Sequence, residues 1–233
     1  MILVISIITL LVSWLVSRRL KSKFEEYSKI PLQSGLTGKQ IAEKMLAYYN
    51  IRGVNVVSVE GRLSDHYNPA DKTVNLSHDV YYGNSAASAA VAAHECGHAV
   101  QHAKAYSWLQ FRSVMVPFQN VSAQILNFLM IALMFGGIAL GGGQALPIVL
   151  LVIIACNLVI TLFALITLPV EFDASNRALA WIDQQGIVTA SEHGMAKDAL
   201  KWAALTYVVV AIGSLAQLLY YVAAFLGLGR SDD

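Results

Sequence analysis

The stretch SAASAAVAAHECGHAVQHA, Ser85 to Ala103, decides how the rest of the chain is read. It is rich in Ala, a strong helix former, and Asn84 or Ser85 stands ready as the cap, so a helix is expected. A run this long with one acid and three histidines has two readings, a membrane crossing or a helix buried in a polar part. The surroundings choose the second. Four other runs are apolar: Met1 to Ser17, about Val121 to Gly142, Ala145 to Leu168 and Ala203 to Leu228. The last three hold no charged residue and reach the ~20 residues that a crossing needs. Of 16 Lys and Arg, all except Arg230 lie in residues 18–116 or 169–202, which four crossings put on one face. Basic residues gather on the cytoplasmic side, and a fifth crossing at Ser85 to Ala103 would split them.

The composition agrees with a membrane protein that has a polar portion. In 233 residues, 56% are hydrophobic and 13% charged, against about 25% charged in an ordinary soluble domain. A formal charge of +1 excludes a nucleic-acid binder, and the hydrophobicity excludes a disordered chain. Cys96 and Cys156 fall in such different surroundings that both are expected as free thiols. Arg18, Arg19, Lys21 and Lys23 follow the first apolar run instead of preceding it, which reads as an uncleaved anchor with its amino terminus outside. Ser6, Thr9, Ser13 and Ser17 form a stripe suited to packing against another helix or tolerated facing lipid. The short neutral connection Gly141-Gly142-Gly143-Gln144 makes the second and third spans a helical hairpin. Trp202 beside Lys201, and Tyr220 with Tyr221, fit the two interfaces.

The expected division is therefore a first membrane helix at 1–17, a cytoplasmic part at 18–116, a membrane hairpin at 117–168, a second cytoplasmic segment at 169–202 and a last membrane helix at 203–228, with both termini outside. Within 18–116, Thr37 precedes a helical pattern of Ile41, Met45 and Tyr49, ended near Gly53. Val54 to Val59 reads as a strand, and Asp65-His66-Tyr67 and Lys72 to Leu76 flank the turn Asn68-Pro69-Ala70-Asp71. A small sheet or hairpin thus precedes the decisive helix.

That helix carries His94-Glu95-Cys96-Gly97-His98, an H-E-x-x-H match that a shuffled chain of this composition holds roughly 0.005 times. Four residues make one helical turn, so both imidazoles project from one face, where they can share a tetrahedral Zn²⁺. Glu95 lies about 100° round the helix, off the metal but beside its open position, where it can take a proton from water. Cys96 reads as a small packing residue. His102 lies about 12 Å beyond His94 along the helix, too far to join, and Ala99-Val100-Gln101 has no glycine to turn the chain. Glu171 is the best third ligand: it follows Pro169, which would open a helix there, and an acid so flanked by apolar residues is costly without a cation. A helix-starting acid is the blander reading. Asp173 can orient a ligating imidazole, with Asn176 or Arg177 nearby, although Arg177 reads equally well as an interfacial charge.

Together, His94 to Gln101, Asp65-His66-Tyr67-Asn68-Pro69 and Pro169-Val170-Glu171-Phe172-Asp173-Ala174-Ser175 resemble the YugP-type membrane zinc peptidases of bacteria, over nearly the whole chain. The resemblance implies a neutral zinc metallopeptidase of the plasma membrane with His94, His98 and Glu171 as ligands and Glu95 as catalyst. The wider likeness is to HtpX-like gluzincins, whose ligand glutamate is followed four positions later by an aspartate. Here that position is Ser175, and the nearest aspartate is Asp173.

The fold class expected is mainly α: a four-helix transmembrane bundle with a cytoplasmic α+β zincin-like metalloprotease part, an HExxH helix plus a small β-sheet. The expected activity is peptide hydrolysis at the inner membrane face with one Zn²⁺ per chain, on membrane proteins or their tails. Thr73, Val74, Asn75 and Leu76 can pair with an extended substrate or form a buried edge. Arg177 or His193, in the loop-like Ser191-Glu192-His193-Gly194, can stabilise the oxyanion. The lipid bilayer and a peptide are the expected partners, nucleic acid is not, and a homo-oligomer or a membrane regulatory partner stays open. The rival reading is a noncatalytic membrane scaffold with a structural zinc site.

Overall fold

A computed structural model of the chain describes residues 1–135 and 146–227. The connection at Gly141 to Gln144, the end of the second apolar run and the start of the third, and Leu228 and Arg230 lie outside the described residues. Along the chain run α1 (Ile2–Tyr27), α2 (Gly38–Tyr48), β1 (Asn55–Val59), β2 (His66–Asn68), β3 (Thr73–Ser77), α3 (His78–Tyr81), α4 (Ala86–Ala103), α5 (Ser107–Phe135), α6 (Leu146–Gln184) and α7 (Ala190–Phe225). The protein is mainly helical with one small three-stranded sheet. Among the described residues, α1, α5, α6 and α7 are the helices long and apolar enough to cross a membrane.

Each of these four helices outruns its apolar stretch, because hydropathy ends where charge begins while backbone hydrogen bonding carries on. α1 continues past Ser17 to Tyr27. α6 passes through Pro169 without ending, which corrects the expectation that the proline opens a helix. The proline removes one amide donor, and the backbone bonds on either side of it persist, as membrane helices commonly tolerate. Glu171 therefore sits deep inside a helix, far from the N-terminal dipole that the blander reading invoked. The expected loop Ser191 to Gly194 is likewise the first turn of α7. Thr189 and Glu192 start it with a reciprocal cap: the Thr189 amide donates to Glu192 Oε2 at 2.7 Å and the Glu192 amide to Thr189 Oγ1 at 3.3 Å.

The chain forms two compact units. One takes Met1–Ser13 and the described parts of 111–167 and 207–233. In it Ser6, Thr9 and Ser13 are half-buried, and Thr9 lies against Gly213, where a Cβ would come within 2.4 Å of Thr9 Cγ2. The small residues of the stripe thus serve close helix approach. Large apolar side chains such as Leu3, Phe128 and Ile148 stay at least 66% exposed, a surface that water would penalise and lipid would not.

The other unit takes Trp14–Gln110 and Leu168–Thr206. Its centre is α4, buried on nearly every side, where Ala86, Ala87, Ala89, Ala90, Ala92 and Ala93 leave room for close neighbours. Ser85 caps it, accepting from the Ser88 amide. Ile41 and Met45 of α2, Val74 and Leu76 of β3, and Trp181 and Ile182 of α6 share this core. Thr37 starts α2 with a full capping box to Gln40. In the sheet, ordered β1-β3-β2, β3 runs parallel to β1 and antiparallel to β2. The expected turn joins β2 to β3: Asn68 Oδ1 accepts from the Ala70 amide at 2.9 Å. Because β3 is central, Thr73, Val74 and Asn75 lie paired between β1 and β2, while Leu76 pairs with β1. Thr73 to Asn75 therefore offer no open edge to a substrate, which leaves the buried one of the two expected readings.

Candidate metal centre

One turn apart on α4, His94 and His98 set their rings 4.8 Å between centroids and almost perpendicular. Between them sits Gly97, and its missing side chain is what lets α6 in. A Cβ there would lie 2.6 Å from the Ala174 carbonyl oxygen, closer than atoms in ordinary contact. One turn before Ala174, Glu171 then reaches the imidazole pair: its Oε2 is 3.3 Å from His94 Nε2 and 3.7 Å from His98 Nε2. The ligand atoms of all three residues lie within 4.8 Å of one another.

The donor set fits zinc. Bonds of 2.0–2.2 Å from a tetrahedral ion place two ligand atoms roughly 3.3–3.6 Å apart, close to the 3.3 and 3.7 Å that separate Glu171 Oε2 from the two imidazole nitrogens. Glu171 is 3% exposed, and a carboxylate buried that deeply is costly unless cationic charge compensates it. Burial alone would lower the pKa of His98, but the neighbouring Glu171 outweighs it and holds the imidazole above its usual 6.5.

The far nitrogens of the two rings are held as well, by residues the sequence did not single out for that task. His94 Nδ1 meets Ser175 Oγ at 3.1 Å, and His98 Nδ1 meets Gln101 Oε1 at 3.0 Å. Gln101, fully buried, donates through Nε2 to the Val170 carbonyl and to Asp173 Oδ2, both at 2.8 Å. Asp173 is thus one step removed from the imidazole it was expected to orient, because Gln101 occupies the position beside the ring. Asn176 is exposed. The signals were present: Ser175 lies one turn after Glu171, and Gln101 one turn after His98.

Arg177 is tied to Asp173 through Nε at 2.5 Å and a second nitrogen at 3.1 Å, and lies 5.8 Å over the Tyr106 ring. The guanidinium is thus held by Asp173 through two of its three nitrogens. His193 lies in the first turn of α7, where its amide donates to the Thr189 carbonyl at 2.8 Å.

Glu95 is 8% exposed, and its Oε2 accepts from the Tyr67 amide of β2 at 3.0 Å. Burial raises its carboxyl pKa above 4.5, partly offset by His94 and His98. Because Tyr67 pairs with Val74 while turning its N–H outward, β2 presents its free edge to this carboxylate. His102 is exposed and bonds the Tyr67 phenol at 2.8 Å. Cys96 is buried against the Ala42 carbonyl, and burial pushes its thiol far up, so it is inert packing. Cys156 is also free and buried.

The family described as "Putative neutral zinc metallopeptidase" matches residues 2–226. A curated relative, the "Putative membrane protease YugP" of Bacillus subtilis (strain 168), is 39% identical over 215 residues, covering 92% of this chain and 92% of that protein. No solved structure matches.

Proposed function

Because the chain belongs to the family of neutral zinc metallopeptidases, we propose that it is an integral membrane peptidase that cuts peptide bonds at the cytoplasmic membrane face, with one zinc ion held by His94, His98 and Glu171. The observation that carries this reading is the convergence of two imidazoles with a buried carboxylate 73 residues beyond His98, with a second buried carboxylate, Glu95, on the same helix as the imidazoles. The α4 helix with the small sheet beside it is read as a zincin-like part.

When bound, zinc supplies Lewis acidity toward water and a peptide carbonyl. Glu95 is the general base: the Tyr67 amide fixes one of its oxygens, which leaves the other to take a proton from water and return it to the leaving amine. Burial favours its protonated form, which suits a carboxylate that takes up a proton. On the outward edge of β2 the Tyr67 carbonyl is the group that can accept from an extended substrate, since the Tyr67 amide is held by Glu95.

The cytoplasmic side is supported by the basic residues in 18–116 and 169–202. Membrane proteins or their tails are the substrates, since Glu171 follows by four positions Thr167, where the apolar unit's 111–167 segment ends. The bacterial plasma membrane is inferred from the relative's source and name.

The test is Glu95→Gln in the purified full chain. Cleavage is lost while zinc stays near one per chain, and the inactive form traps substrates for identification. Glu171→Ala loses both. An active Glu95→Gln form refutes the base, and wild-type protein that keeps zinc yet cleaves nothing it traps favours a scaffold.

A further inference from the structure

Gln101 has an arrangement that a mere packing residue does not need. Its side-chain amide is wholly buried, and three groups surround it: His98 Nδ1, the Val170 carbonyl and Asp173 Oδ2. The last two can only accept hydrogen bonds. The NH₂ end must therefore face them, and both of its hydrogens are then committed. Turning the amide over would set its oxygen against a carbonyl and a carboxylate, three acceptors together with no donor. The oxygen thus faces His98, and the His98 Nδ1 must be the nitrogen that carries hydrogen. Nε2 is left with a lone pair, and Nε2 is the atom turned towards Glu171.

The outer end of this chain of contacts is anchored. Arg177 grips both oxygens of Asp173, which fixes the carboxylate and balances its charge. Tyr106 covers the guanidinium.

We propose that Gln101, held by Asp173 and Arg177, is a positioning residue that selects the metal-binding tautomer of His98. It does through an amide relay what a directly bonded carboxylate does for a zinc histidine elsewhere. Ser175 differs: a hydroxyl can donate or accept, so it orients His94 without choosing its tautomer. The inference rests on the zinc-peptidase reading, because it assigns a task toward that ion.

The experiment measures zinc affinity by chelator competition on the full chain in detergent, together with the visible spectrum of the cobalt-substituted form and thermal unfolding of the metal-free form. Gln101→Met keeps the side chain's length and loses its polarity. Zinc affinity is expected to fall about 10- to 100-fold, with a changed cobalt spectrum. Asp173→Ala frees one of the two amide hydrogens and leaves the Val170 bond, so a loss of about three- to tenfold is expected, and this variant decides the matter should Gln101→Met not fold. A purely structural role would lower metal-free stability and leave zinc affinity and the cobalt spectrum unmoved, which would overturn the relay alone. Wild-type zinc binding that ignores His94→Ala would overturn the peptidase reading and the relay with it.

Discussion

Gly97→Ala adds one methyl group at the point where α4 and α6 touch. The new Cβ would stand 2.6 Å from the Ala174 oxygen and 3.1 Å from its Cα, where ordinary contact begins at 3.4 Å. Both obstacles are backbone atoms of a regular helix, so no side chain can swing aside. The helices must part by about 0.8 Å, the difference between 3.4 and 2.6 Å. Passed on to Glu171, that shift stretches the 3.3 Å gap to His94 to about 4.1 Å, beyond the roughly 3.6 Å that a shared tetrahedral ion allows. Overpacking of this kind costs about 1–3 kcal/mol. Charged to zinc binding at 1.4 kcal/mol per tenfold, it weakens affinity about 5- to 150-fold. The metal-free protein can instead let the helices relax, and there alanine gains about 1 kcal/mol over glycine in helix propensity. The assay is chelator competition for zinc alongside thermal unfolding of the metal-free form. Affinity should fall while metal-free stability holds or rises. Zinc binding within twofold of wild type would refute the argument that this contact sets the position of the third ligand.

Ser175→Ala removes the hydroxyl on His94 Nδ1 and should weaken zinc about tenfold in the same competition assay, with its metal-free unfolding little changed. On pH, the raised His98 contributes stability to the metal-free protein that is complete below 6.5 and lost as pH rises through its folded value. The raised Glu95 acts in the same direction, since ionising it in a buried site costs stability as pH climbs above 4.5. Metal-free protein should therefore unfold at a lower temperature at about pH 8 than at about pH 6. Zinc affinity should run the other way, falling about tenfold per unit as protons compete for His98. Unfolding and competition series across that range check both signs, and metal-free protein that gains stability with pH contradicts them.

The helices and the imidazole pair were legible because their signals are local. The Ala-rich run with Ser85 before it, the alternation into Asn68 to Asp71, and the four-residue spacing of His94 and His98 each need only one element to be read. Glu171 was found through its apolar setting, although its helix was mistaken at Pro169. A proline's missing amide is visible in sequence, whereas the hydrogen bonds that survive around it are not. Strand order is non-local, which is why Thr73 to Leu76 stayed open between a substrate-pairing and a buried reading, although β1 and β2 flank Thr73 to Asn75. Gly97 carried no local signal, because its meaning lies in α6, 77 residues on at Ala174. Gln101 and Asp173 were both visible, but which of them faces His98 depends on side-chain packing.

The distance in sequence between His98 and Glu171 also sets a timetable for biosynthesis. When α4 leaves the ribosome, the nascent chain possesses two imidazoles and a base but lacks the carboxylate, and a divalent ion gripped by two residues is readily lost. Competence arrives only once α6 has been translated and docked against Gly97. A peptidase of the kind proposed, assembled in this order, would stay harmless to neighbouring polypeptides throughout its own membrane insertion.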